Sequence, residues 1–307
     1  MGSCKTKVSK RAWRVSAPML AIAFVLCILC VVVFRDWTAR ERLRKAEERL
    51  SSCADKWNRT VCLPVVMHGD ALTAASLPRE NLFADISVRD EHNVLRPVPK
   101  ASMEGESLSV ANGEICGEDI QDALKRLTGR SRFAIDGFAA FIGADMECSH
   151  HYVARLIDGF NSFGIWNVSI IGRIGSEAEA SRLSSFKILR LCPCVLPKED
   201  LHVVAEEPFE EEDLSVHYVK PFSLGQRLTF WIGSRSDGSL DGTLLYCDKQ
   251  VSFAELDGIM AQLAADPETT GKTVAIRCAE DSPHNALVNV LDMLFKHNFK
   301  RVYLMTL

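Results

Sequence analysis

The sequence has none of the short motifs that most often mark an enzyme. It contains no G-x-S-x-G elbow, no phosphate loop of the G-x-x-x-x-G-K type, no G-x-G-x-x-G and no H-E-x-x-H. It also lacks a positive balance. The net charge of −4, with no basic patch interleaved with aromatics, argues against nucleic acid as a ligand. The stretch Val15–Phe34 has no charged residue at all, and thiols are its only ionisable groups. No catalytic residues, cofactor or metal are expected on these grounds, and the chain is not read as an enzyme.

What is present is ordinary globular material, 47% hydrophobic and 25% charged over 307 residues. That length suits about two domains of ~100–150 residues. The uncharged stretch over residues 15–34 has the length of a single transmembrane helix. It is longer than a signal-peptide core and has no A-x-A cleavage site after it. Basic residues flank it on both sides: Lys5, Lys7, Lys10, Arg11 and Arg14 before, Arg35, Arg40, Arg42 and Arg44 after. Charge alone therefore does not orient it. A short cytoplasmic tail, 1–14, is the simpler end to leave behind. Of the eleven cysteines, those beyond the span would then face an oxidising compartment. Disulfides and buried free thiols both remain open, and spacing does not give a pairing.

Residues 35–80 read as a stalk or linker. Ala39, Leu43, Ala46, Leu50, Cys53 and Trp57 recur at steps of four and three, a short a/d seam. Such a seam either pairs with a second copy in a homodimer or belongs to a solvated linker helix. Beyond it the chain repeats itself. Phe141-Ile142 lies over Ala275-Ile276, and one constant offset then carries His150 onto His284, Val153 onto Leu287, Leu156 onto Val290, Asp158 onto Asp292, Gly164 onto Asn298 and Val168 onto Val302. A repeat this long means two whole domains rather than a solenoid.

The expected domains are 81–175 and 226–307, with an acidic linker over 176–225 whose run from Glu199 to Asp213 reads as a solvated spacer. Each domain reads as strand, strand, helix, strand, helix, strand. In the first, Ala84–Val88 and Ser107–Val110 are expected to form a hairpin. In the second, Ser252 and Glu255 form a capping box, Ser282 caps the last helix with Pro283 at its first position, and Asn298 stops it where the first domain has Gly164. The expected fold class is α+β: one N-terminal transmembrane helix, then two small two-layer domains with helices on one face of a mixed sheet.

Two clusters invite a site reading. Cys148-Ser149-His150-His151 has metal-ligand residue types. Its repeat partner, however, has no cysteine beside His284, and Asn285 in place of His151, so a structural or surface position is expected. Asp158 and Asp292 lie one step off the apolar stripe and are read as surface positions, with a shared partner contact as the alternative. Cys192-Pro193-Cys194 lacks the C-x-x-C spacing of zinc ribbons.

The second domain resembles the periplasmic domain of the ExbD/TolR family of biopolymer-transport proteins. The resemblance rests on Ser236-Asp237-Gly238, Val251-Ser252-Phe253-Ala254-Glu255-Leu256, Val274-Ala275-Ile276-Arg277, Asp281-Ser282-Pro283, Val290-Leu291-Asp292 and Phe299-Lys300-Arg301-Val302. Val195-Leu196-Pro197-Lys198 resembles the family's Leu-Pro element. The first domain shares the resemblance only through the repeat. It implies an inner-membrane protein with a cytoplasmic N-terminus, most of its chain in the periplasm, a multi-span partner of the ExbB/TolQ type, and a role in proton-motive-force-linked transport or envelope energising. A periplasmic protein or cell-wall ligand is the other implied partner. The family's span opens with Pro-x-x-Asp, whereas this chain reads Pro18-Met19-Leu20-Ala21. Ala21 cannot carry a proton, so an accessory role is expected. The alternative is a membrane-tethered structural or ligand-binding module without an energised partner.

Overall fold

A computed structural model describes residues 17–78, 80–90, 92, 94–111, 113–129, 138–174, 186–191, 227–233, 243–246, 249–266, 273–299 and 301–305. The expected tail 1–14, the acidic run from Glu199 to Asp213, Cys192-Pro193-Cys194 and the turn Ser236-Asp237-Gly238 lie outside the described residues. The chain divides into two compact units, Met1–Glu48 and Arg49–Leu307.

The first unit contains most of one helix, α1 (Ala17–Thr60). Its apolar side chains from Phe24 to Phe34 are exposed all round, and the helix then becomes polar. Ion pairs one turn apart, Arg40 with Asp36 and Arg44 with both Glu41 and Glu48, lace that polar part. Among the described residues no helix is long and apolar enough to cross a membrane. This overturns the expected transmembrane helix over 15–34, and with it the single-pass inner-membrane placement. The apolar run of α1 ends at Phe34, Arg35 and Asp36 follow at once, and the helix continues unbroken into a charged, ion-paired stretch.

The second unit holds two large sheets and one two-stranded ribbon among its described residues. The first runs through β1 (Asp70–Ala71), β2 (Glu80–Arg89), β3 (Leu95–Met103), β4 (Glu106–Leu108), β7 (Phe138–Ala144), β8 (Asn167–Arg173) and β9 (Phe186–Arg190), in the order β1-β9-β8-β7-β2-β3-β4. β2, β7 and β8 are mutually parallel, with Phe83 opposite Phe141 and Ala140 opposite Val168. Parallel strands at the centre of a sheet are buried on both faces and read as near-continuous apolar runs. β2 and β7 do so, burying Leu82, Phe83, Ala84 and Ile86, and Ala139 through Ile142.

The expected hairpin partner of β2 was Ser107–Val110, but the structure pairs β2 with β3 instead. Residues 106–108 form β4 on the outer side of β3, and Val110–Ala111 forms β5, which pairs with β6 (Glu114–Ile115). Pro97 and Pro99 disguise β3 in the sequence. They fall where the register shifts between Ser87 and Arg89, an irregularity in which a missing N–H is tolerated.

α2 (Gly117–Thr128) and α3 (His150–Phe163) cover one face of this sheet. The other face is not bare, so the expectation of two layers is corrected to three. Phe83, Phe141, Phe186 and Ile188 point there, and the last turns of α1 cover them with Leu50, Ala54 and Trp57. Trp57 meets Phe83 and Phe186 edge-on at 5.9 and 5.3 Å. Its indole N–H donates to Asp85, which also receives Lys56, and Lys56 reaches Ser102 Oγ at 2.7 Å. Gly143 makes the close approach of Trp57 to the sheet feasible, since a Cβ there would lie 2.9 Å from the indole nitrogen. β9 likewise belongs to this sheet although it falls within the expected linker 176–225.

The second sheet contains β10 (Arg227–Gly233), β11 (Thr243–Tyr246), β12 (Lys249–Gln250), β13 (Thr273–Cys278) and β14 (Val302–Met305), in the order β12-β11-β10-β13-β14. β10, β13 and β14 are parallel and correspond to β2, β7 and β8. The helices are α4 (Phe253–Ala264) and α5 (His284–Lys296). α4 starts with a reciprocal capping box: Ser252 Oγ accepts from Glu255 N–H, and the Glu255 carboxylate accepts from Ser252 N–H at 2.7 Å. α5 begins one residue later than expected. Pro283 is its N-cap, while the Ser282 hydroxyl donates to Ala279 O at 2.8 Å.

Both last helices stop alike. Gly164 has φ 97° and Asn298 has φ 64°. Gly164 N–H and Ile165 N–H return to Asn161 O and Phe160 O, and Asn298 N–H and Phe299 N–H return to Phe295 O and Leu294 O. One apolar cluster joins Val153, Leu156 and Phe160 of α3 to Leu287, Leu291 and Phe299 of the second domain.

Candidate functional site

The connections β7–α3 and β13–α5 occupy equivalent places in the repeat, and they lie antiparallel against each other. Ser149 and Pro283 form a β-bridge. His150 N–H donates to Ser282 O at 2.8 Å, and His284 N–H donates to Cys148 O at 2.8 Å. One residue further out, His151 N–H donates to Glu280 O and Asn285 N–H to Met146 O, both at 3.1 Å. Each bond is the image of another under the repeat offset. The contact is therefore isologous, the arrangement of a twofold dimer, built within one chain. α3 and α5 cross beside it.

His150 and His284 open these two helices at the centre of the contact. They are 2% and 0% exposed. None of their four ring nitrogens has a hydrogen-bond partner, which is rare for buried polar atoms. Burial pushes His150 down to about 4, with His151 adding to the effect. Burial pushes His284 down to about 3, with His150 adding to it. The symmetry breaks one residue on. The His151 ring nitrogens meet Glu280 O at 3.1 Å and Gly113 O at 2.6 Å, bonds that Asn285 does not repeat.

A cleft opens beside His150, lined also by His151, Arg155, Asp158, Cys278 and Glu280. Arg155 pairs with Glu114 across it at 2.7 Å. Burial pushes the Cys148 and Cys278 thiols well above their usual range, so neither is a ready nucleophile. Cys53 is pushed up to about 12, again mainly by burial. The described cysteines Cys27, Cys30, Cys53, Cys62, Cys116, Cys148 and Cys278 are all free. No group of three or more His, Cys, Asp or Glu among the described residues is arranged to hold a metal ion.

Asp158 and Asp292 do not share a role. Asp158 lines the cleft, whereas the Asp292 carboxylate accepts from Met67 N–H and His68 N–H at 3.1 and 2.7 Å and meets His68 Nδ1 at 3.1 Å. It thereby clamps a loop of the first domain onto α5. Ala21 lies in α1, and its side chain is outside the described residues.

The sequence offered a signal for this site in the shared offset of residues 148–151 and 282–285. It did not say that the two copies touch. No family model, curated protein or solved structure matches the chain.

Proposed function

We propose that the chain is a non-catalytic interaction subunit that presents a pair of ExbD/TolR-like domains, already joined, to a larger assembly of the biopolymer-transport or envelope-energising type. The observation that supports this reading is the reciprocal contact at Ser149 and Pro283, through which one chain supplies what two copies of a single-domain protein would supply together. Two thiols, Cys148 and Cys278, and the paired imidazoles of His150 and His284 are buried there, which suits recognition rather than covalent chemistry.

The test is affinity purification of the full chain in mild detergent, followed by identification of what comes with it. A multi-span protein of the ExbB/TolQ type is the expected companion. Recovery of the chain alone across detergents and salt concentrations would overturn the proposal. A second reading, a ligand-binding module with no such companion, draws on the cleft at His150.

A further inference from the structure

We propose that His150 and His284 form a proton-operated latch between the two domains: with both rings neutral the domains stay paired, and proton uptake by the buried pair drives the two connections apart.

His150 and His284 lie on either side of the local twofold through Ser149 and Pro283, within the ladder of four main-chain hydrogen bonds that joins the domains. Each ring sits on the first residue of its helix, where the positive end of the helix dipole opposes an imidazolium. Neither ring nitrogen of either residue reaches an acceptor, so a bound proton would find no counter-charge in the closed state. The groups around them are otherwise engaged or uncharged. On α3, Arg155 is paired with Glu114 of β6. Asp158 and Glu280 line the same cleft, and the carboxylates of both act on Arg155. Glu280, on the opposing connection, also offers its carbonyl to His151. Cys148 and Cys278 are protonated thiols held up by burial. Asp145, at the start of the first connection, accepts from Cys62 and Glu147 N–H and faces Arg89. Burial also raises its carboxyl. Asn285 is the neutral neighbour on α5.

The closed state is therefore stabilised by four main-chain bonds and an apolar seam, and opposed by four unpartnered ring nitrogens. Opening hydrates all four nitrogens and lets both rings charge. Protons bind preferentially to the open form, so acid shifts the population toward it. Two equivalent sites make the change steeper than a single titration.

Amide exchange of the full chain tests this, read at His150, His151, His284 and Asn285 from pH 7.5 to 4.5 and corrected for intrinsic rates. Those four amides should lose protection together on acidification, at least tenfold, while the β2 and β7 amides keep theirs. The slope should approach two protons. In His150→Leu/His284→Leu the same amides should stay protected through pH 4.5, and His284→Leu alone should bring the slope down to one. The wild-type profile decides the matter even if a variant does not fold. Protection that is flat with pH at these four amides overturns the latch, and so does loss that spreads equally through the sheet cores.

Discussion

Trp57 shows how one residue can tie an element to a sheet. Its ring fills the space between Phe83 and Phe186, and its N–H is held by Asp85. Trp57→Ala should therefore cost about 3–5 kcal/mol, the usual range for a large core aromatic, when unfolding is followed by urea titration. A loss below about 1 kcal/mol would mean that α1 does not cover this face in solution. His150 and His284 give a second residue-level prediction, on stability and pH. Their folded values lie near 4 and 3, below the ordinary 6.5, so between these limits the unfolded chain binds protons that the folded chain refuses. Stability then rises with pH in that window. It is complete above about 6.5 and is lost as the pH falls toward 4, by up to about 1.4 kcal/mol per pH unit for each ring. The measurement is the difference between wild type and His150→Leu/His284→Leu in urea midpoints at pH 7.5, 6 and 5, which removes the shared carboxylate titrations. Equal pH slopes for the two proteins would contradict it.

At the scale of elements, the repeated helix stops make the sharpest case. Gly164 sits at φ 97°, where a side chain is strained, and Gly164→Val should lower stability by about 1–2 kcal/mol. Asn298 tolerates the same region at some cost, so Asn298→Gly should be neutral or stabilising by a few tenths of a kcal/mol. Thermal unfolding of both variants checks the pair, and equal shifts of the same sign would contradict it. These stops were legible in the sequence because they depend on neighbouring residues only. The same holds for the Ser252–Glu255 box and for the apolar stripe of α3. β3 was missed because its two prolines mask a strand whose bulge absorbs them. β9 and the docking of Leu50 and Trp57 on the first sheet were missed because nothing local to those residues names their partners. The membrane reading rested on apolar length alone, and the helix of which that run is part continues into a charged, ion-paired stretch.

For the whole molecule, the repeat proved to be more than duplicated sequence, because its two copies bond to each other within one chain. Legibility ended at that point: the offset aligned His150 with His284 but was silent on whether they meet. The contact itself can be tested directly. Ser149 and Pro283 face each other as the non-hydrogen-bonded pair of an antiparallel bridge, flanked by the bonds of His150 and His284. In such pairs the Cα atoms lie about 4.5 Å apart, within the range a disulfide spans. Ser149→Cys/Pro283→Cys should therefore oxidise readily to an intramolecular bridge, leaving the chain monomeric on a non-reducing gel with residues 149 and 283 joined in one cross-linked peptide by mass spectrometry. Either single variant should give no such peptide. Cross-linked dimers in place of the intramolecular bridge would mean that this surface pairs between copies of the chain, and the twofold would then belong to an assembly rather than to the single molecule.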